Sequence, residues 1–176
     1  NCGKLLKGFD EYEWRWKKTE LLPEQRYFEQ PMWDGKQSLN GKRILIWCEQ
    51  GIGDTIMWSS RLLLLASQVK HCILECQPKL VTLLKRSFPN IEVKVRDRRF
   101  DSYRDDFDFH LPMGSLYKNF IQELSKTNKV DAYLVPDLIR VDYWKDRLKY
   151  LGSGPHIGIS WKSLNMSSSR LQNYAK

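Results

Sequence analysis

No stretch of this chain stays apolar for long. No unbroken apolar run exceeds the five residues of Leu62 to Ala66, whereas a membrane-spanning helix needs roughly 20. The opening Asn-Cys-Gly-Lys is followed by no apolar segment of signal-peptide type. The chain also opens without Met, which we read as a non-native amino end. Histidine is scarce, at three residues, and cysteine is limited to Cys2, Cys48, Cys72 and Cys76. Cys72 and Cys76 fall in an expected strand, where a spacing of four puts them about 13 Å apart. That is too far for one zinc ion or one disulfide. The thiols therefore read as free and buried in a reducing cytosol, in a cytoplasmic protein with no metal or other cofactor. No Gly-Lys-Ser/Thr is present, which excludes a Walker phosphate loop.

What is present suits a folded protein. The 176 residues are 41% hydrophobic, 28% charged and 12% aromatic, enough for a core without metal or disulfide staples. Lys+Arg 29 against Asp+Glu 21 gives a net charge of +8. The excess is diluted along the chain, at +1 over 1–42, +3 over 43–90, −1 over 91–110 and +5 over 111–176. A nucleic-acid binder concentrates its charge on one helix or stripe. The pattern points instead to a mild preference for anionic ligands such as nucleotide phosphates.

Leu5, Phe9, Tyr12 and Trp16 recur on one helical face. Residues 1–21 thus read as a helical segment that must pack on something else. Residues 22–42 hold Pro23, Pro31, Asp34-Gly35 and Asn40-Gly41 and read as a wrapping linker that buries Phe28, Met32 and Trp33. Alternation then begins: strand Arg43–Cys48, helix Thr55 to Gln68, strand His71–Cys76, helix from Pro78 to Phe88 and strand Ile91–Val95. A solvated, mobile loop from Arg96 to Asp106 leads to strand Phe107–Leu111 and a helix from Ser115 to Lys126. A short strand Ala132–Val135, a helix Val141 to Leu151 and a strand His156–Trp161 complete the order. Apolar strands alternating with helices predict an α/β fold, a Rossmann-like parallel sheet with helices on both faces. We assign residues 43–154 to that domain and 155–176 to the start of a second. Ligands bind such sheets beyond the carboxyl ends of the strands, where strand order reverses.

The first strand-to-helix turn is Glu49-Gln-Gly-Ile-Gly-Asp54. Gly51 and Gly53 let backbone N–H groups approach a ligand and permit positive φ. A dinucleotide fingerprint needs a third glycine where Ile56 stands, although Glu75 falls near the place of a ribose-binding acid. Asp54 has two compatible readings. One is an N-cap of the helix it opens. The other is a general base facing the cleft, its ionised form stabilised by the helix N-terminus.

Glu49-Gln-Gly-Ile-Gly-Asp54, preceded by Pro31-Met-Trp-Asp-Gly35 and Leu39-Asn-Gly-Lys42, resembles bacterial tetratricopeptide-linked glycosyltransferases. These are similar to the heptosyltransferase-type enzymes of glycosyltransferase family 9. Gly8 to Trp16 resembles the end of a last tetratricopeptide repeat, Phe107 to Leu116 a later segment, and Gly158-Ile-Ser-Trp-Lys162 the opening strand of a second domain. The resemblance implies the amino-terminal, acceptor-side half of a GT-B fold, with the nucleotide-sugar donor held by a second domain. It implies Asp54 as the base, no metal, and Glu49, Gln50, Gly51, Gly53, His110, Lys162 and Arg170 about the substrates. The acceptor would be a glycan or a protein, and the repeat array could engage a protein partner. A chain ending at Lys176 holds too little of a donor domain, so this fragment alone is expected to be inactive. The Ser-rich stretch Ser163 to Ser169 departs from the family pattern.

Other residues stay open between roles. His110 reads either as a cleft residue or as a histidine satisfied by backbone. Trp14, Trp16, Trp33, Trp47 and Trp58 read as cement for helix and linker on the sheet rather than a sugar-stacking platform. Two other functions remain: a non-catalytic binding or scaffold module, and a dinucleotide oxidoreductase.

Overall fold

Arg43–Trp47 (β1) is rich in β-branched and aromatic residues and is buried on both faces, as a central parallel strand must be. It pairs in parallel with His71–Cys76 (β2) on one side and Phe109–Pro112 (β4) on the other. Glu92–Val95 (β3) extends the sheet beyond β2, giving the order β3-β2-β1-β4. The computed structural model describes residues 4–19, 21–97, 99, 101–120 and 132–159. The chain divides into two compact units, Asn1–Pro136 and Asp137–Lys176. The first is an α/β, Rossmann-like arrangement preceded by a short helix, Leu5–Tyr12 (α1).

Alternation along the strands sorts the core. Ile44, Ile46, Cys72 and Leu74 face one side with Leu62, Leu65, Leu80, Leu84 and Phe88. These last five come from Leu62–Ala66 (α3), Val81–Ser87 (α4) and the turns flanking α4. Leu45, Trp47 and Ile73 face the other side with Phe107, Trp16 and Phe28. That side is thus covered by upstream chain: a 3-10 turn over Glu13–Lys17 and the segment that follows it. Further along, Trp33 donates its N–H to the His110 carbonyl at 2.9 Å, and His110 donates to the Pro31 carbonyl at 3.2 Å. The linker thereby lines the β4 edge. Adjacent extended residues point opposite ways, so Trp33 is buried while Met32 is 52% exposed, contrary to the expectation for Met32. Gly41 closes the Asn40-Gly41 turn at φ +72, a value that favours glycine.

Several element boundaries differ from those expected. The single helix over 55–68 is two, Ile52–Ser59 (α2) and α3. The hydroxyls of Ser59 and Ser60 donate to the carbonyls of Ile56 and Met57, at 2.7 and 3.0 Å. Such back-bonding competes with the helix ladder and ends α2. Residues 132–135 form no strand, and the backbone of Val135 bonds to side chains instead. Val135 N–H donates to Ser87 Oγ at 2.9 Å, and its carbonyl accepts from Arg86 Nε at 2.8 Å. The fourth strand begins at Phe109, not Phe107, whose ring is buried on the Trp47 face. After β4, Leu116–Asn119 (α5) is a short helix that ends at its C-cap Phe120, and residues 121–126 of the expected helix lie outside the described residues. In the second unit, Leu138–Lys149 (α6) starts earlier than expected, capped by Asp137, whose carboxylate accepts from Arg140 N–H at 3.2 Å. His156–Ile159 are irregular rather than a strand.

The Arg96–Asp106 loop is not simply a solvated surface. Arg26 is buried and donates to Glu75 at 2.5 Å, to Asp101 at 2.8 Å and to the Asp97 carbonyl at 2.9 Å. Arg104 grips the other Glu75 oxygen and also pairs with Asp106 at 2.8 Å. A carboxylate at the end of β2 can be buried only when its charge is matched. Here the linker and the loop each supply one arginine.

Candidate functional site

The strand order turns at β1: the chain runs outward to β2 and β3, then crosses back to place β4 on the other side. The loops leaving β1 and β4 therefore meet at the point where such sheets bind ligands. The first is Cys48–Gly51. The second is the 3-10 turn Met113–Ser115 that leads into α5.

Glu49 leaves β1 fully buried. One of its oxygens accepts from the Gly114 N–H at 3.1 Å and from Arg15 Nη2 at 3.1 Å. The same Arg15 nitrogen donates to Ser115 Oγ at 2.9 Å, and that hydroxyl donates on to Glu13 at 2.9 Å. Arg15 Nη1 donates to Glu13 at 2.7 Å. The guanidinium carbon lies 4.7 Å from the ring centres of both Tyr12 and Trp16, within cation–π range. Burial pushes the Glu49 carboxyl up to about 7, outweighing the opposing pull of Arg15 and the Gly114 N–H. Gly114 is required by space: a Cβ there would stand 2.5 Å from Glu49 Oε1 and 3.2 Å from the Trp58 ring.

Gln50 is pinned on both sides. Its amide donates to the Tyr12 hydroxyl at 2.6 Å, and its carbonyl accepts from Gln77 Nε2 at 2.6 Å. Thr55 Oγ1 lies 3.1 Å from both the Gly51 carbonyl and Gln77 Oε1. Gly51 is the N-cap residue of α2, with φ −74, and neither it nor Gly53 adopts positive φ. Backbone strain therefore does not require glycine at either position. A Cβ on Gly51 would come within 3.1 Å of Asp54 Oδ2, while Gly53 faces open space.

Asp54 sits three residues into α2 rather than at its cap. Its Oδ2 accepts from the Gly51 N–H at 3.1 Å, one half of a capping box. Its Oδ1 has no hydrogen-bond partner among the described residues, and the side chain is half-buried. The capping and general-base roles are thus geometrically compatible, one oxygen for each.

His110 lies apart from this loop, on the Leu45 and Trp47 face of the sheet. Its Nδ1 accepts from Trp47 Nε1 at 3.2 Å, and its ring centre is 4.7 Å from that of Phe28. Burial, then the nearby Arg26 charge, lowers it to about 4. An indole, not backbone, satisfies this ring. Glu75, at the position of a ribose-binding acid, has both oxygens taken by Arg26 and Arg104. Lys162 and Arg170 lie outside the described residues, as do Cys2 and the Ser163–Ser169 stretch. Cys48, Cys72 and Cys76 are free and buried. Trp16 packs on Trp47 at 5.6 Å, Trp58 on Tyr12 at 6.1 Å and Trp33 on Phe120 at 6.0 Å, whereas Trp14 is 62% exposed.

Sequence reasoning gathered Glu49, Gln50, Gly51, Gly53 and Asp54, which are the loop leaving β1 and the first turn of α2. It missed Arg15, Tyr12, Gln77, Gly114 and Ser115. The turn Pro112-Met-Gly114 after the last strand of a reversing sheet was a usable signal for Gly114 and Ser115. Arg15 carried none, being one cation in an amphipathic segment.

No family model matches this chain, and no solved structure matches it. A curated relative, Protein FlbA of Caulobacter vibrioides (strain ATCC 19089 / CIP 103742 / CB 15), is 30% identical over 189 residues. That match takes in 98% of this chain but 31% of FlbA, so the chain spans about a third of its relative's length. Among the described residues no helix is long and apolar enough to cross a membrane.

Proposed function

We propose that this chain is the acceptor-side portion of a glycosyltransferase that moves a sugar from a nucleotide-activated donor to a hydroxyl acceptor. The observation that carries the reading is the divided Asp54 carboxylate. One oxygen is anchored by the Gly51 N–H, and the other has no partner among the described residues, in the first turn of α2, which follows β1 at the sheet's reversal point. The resemblance of 49–54 and its flanking segments to heptosyltransferase-type enzymes supports the same role.

In this reading Asp54 removes the proton from the acceptor hydroxyl as its oxygen attacks the anomeric carbon. The bond from that carbon to the diphosphate breaks with inversion, and the nucleoside diphosphate leaves. Its charge needs N–H donors or cations, for which Lys162 and Arg170 are the candidates in this chain. The donor is held by a second domain in a GT-B arrangement, no metal is required, and the acceptor is a glycan or a protein. The protein works in the cytoplasm, and a tetratricopeptide array upstream offers a surface for a protein partner.

One observation favours a second reading, a non-catalytic binding or scaffold module. Arg15, Tyr12 and Trp16 occupy the reversal point that a ligand would otherwise enter. A dinucleotide oxidoreductase has less support, since Glu75 is sequestered and Ile56 stands in place of the third glycine. Calorimetry on the full-length protein with a panel of nucleotide sugars separates the first two readings. The enzyme reading expects one donor to bind; no binding across the panel, together with no transfer, supports the scaffold.

A further inference from the structure

The upstream segment is attached in an unusual way. Among its described residues 4–19, Arg15 alone is buried. No residue of α1 is buried, and Leu5, Leu6 and Trp14 are 51%, 61% and 62% exposed. Its other aromatic side chains are only half-buried and pack on the domain from outside, Phe9 on Tyr117 at 5.0 Å, Tyr12 on Trp58 at 6.1 Å and Trp16 on Trp47 at 5.6 Å, while Asp10 pairs with Lys118 at 3.4 Å. The one buried side chain of the described segment is therefore a charged anchor, and its aromatic residues sit at the margin of the core. Burying a matched ion pair gains little net free energy, because the desolvation of both charges offsets their attraction. Arg15 Nε is in addition buried with no partner, a further cost to the docked state.

This anchor touches both loops of the reversal point. Arg15 holds Glu49 at the end of β1 and Ser115 after β4, and Tyr12 holds the Gln50 side chain. Glu49 and Gln50 begin the loop that ends in Asp54. We propose that Leu5–Lys17 is a releasable latch: docking through Arg15 fixes the loop Glu49–Asp54, and displacement of the segment frees that loop and uncovers the reversal point. The upstream chain then communicates with Asp54 through Arg15–Glu49 and Tyr12–Gln50. The inference concerns conformational coupling and does not depend on the glycosyltransferase reading.

Amide hydrogen exchange on the full-length protein tests it. In the wild type, residues 5–17 and 49–54 exchange faster than β2, because partial opening precedes global unfolding. In Arg15→Met, exchange of 5–17, 49–54 and 113–116 rises together by at least about tenfold, while 72–76 keeps its protection. Tyr12→Phe raises exchange at 49–54 without releasing 113–116. If the unmatched Glu49 prevents Arg15→Met from folding, the double variant Arg15→Met/Glu49→Gln removes both charges and is read in the same way. Loss of protection in 5–17 with 49–54 unchanged overturns the coupling. A uniform loss that includes 72–76 overturns the latch, since Arg15 would then be an ordinary part of the global core.

Discussion

Arg15 and Glu49 stand 34 positions apart in the chain and meet at 3.1 Å, with side chains only 3% and 0% exposed. The arginine comes from the segment before the sheet, and the carboxylate from the end of the sheet's central strand. Removing Arg15 leaves the buried Glu49 charge unmatched, which costs about 3–5 kcal/mol, and removing Glu49 leaves Arg15 with Glu13 alone as its carboxylate partner. Removing both takes the buried pair away together. Urea denaturation of Arg15→Met, Glu49→Gln and the double variant is expected to show a strong cycle, the double variant being far more stable than the summed losses imply. Additive losses would mean that the pair does not act as a unit.

Gly114 gives a second expectation. Its N–H supports Glu49, and its missing side chain leaves room for that carboxylate and for Trp58. Gly114→Ala forces one of them to move, and overpacking of this kind costs about 1–3 kcal/mol. A denaturation midpoint equal to wild type would contradict the spacing.

The pH dependence separates two buried groups. His110 falls from 6.5 to about 4 on folding, so its contribution is present above 6.5 and is lost as pH falls through about 4. Glu49 rises from 4.5 to about 7, so its contribution is present below 4.5 and is lost as pH rises through about 7. Between 4.5 and 6.5 the two slopes oppose one another. His110→Gln removes the first, so its stability relative to wild type improves steadily as pH is lowered from 6.5 towards 4. Urea midpoints taken across that range check it, and a difference that does not change with pH would count against the burial of a neutral imidazole.

The Glu75 cluster offers a fourth expectation. Glu75→Gln leaves Arg26, whose side chain is fully buried, with Asp101 alone as its carboxylate partner. It also frees Arg104 from the end of β2. The variant is expected to lose about 3–5 kcal/mol, and the Asp97–Asp106 loop to become susceptible to limited proteolysis. Resistance equal to wild type would show that Glu75 does not hold the loop.

The parallel sheet was legible because β1 and β2 are short runs apolar on both faces, a pattern with few other solutions. The loop from Glu49 to Asp54 was legible because two glycines directly follow such a run. The division of α2 from α3 was not, since a helical period runs through Ser59 and Ser60 and only their hydroxyl bonds reveal the break. Residues 132–135 looked like a strand by composition, yet the side chains of Arg86 and Ser87 claimed the backbone of Val135. The greatest loss was Arg15. A buried cation is specified by the carboxylate it meets, and no local pattern in the sequence names Glu49 as that partner.

Asp54 carries the proposed chemistry, and sugar transfer by Asp54→Asn in the full-length protein, with donor affinity measured in parallel, tests it most directly. The substitution keeps an oxygen to accept from the Gly51 N–H but removes the proton acceptor. Turnover is expected to fall by at least about a hundredfold, with donor binding and thermal stability near wild type. Turnover close to that of the unaltered protein would contradict it.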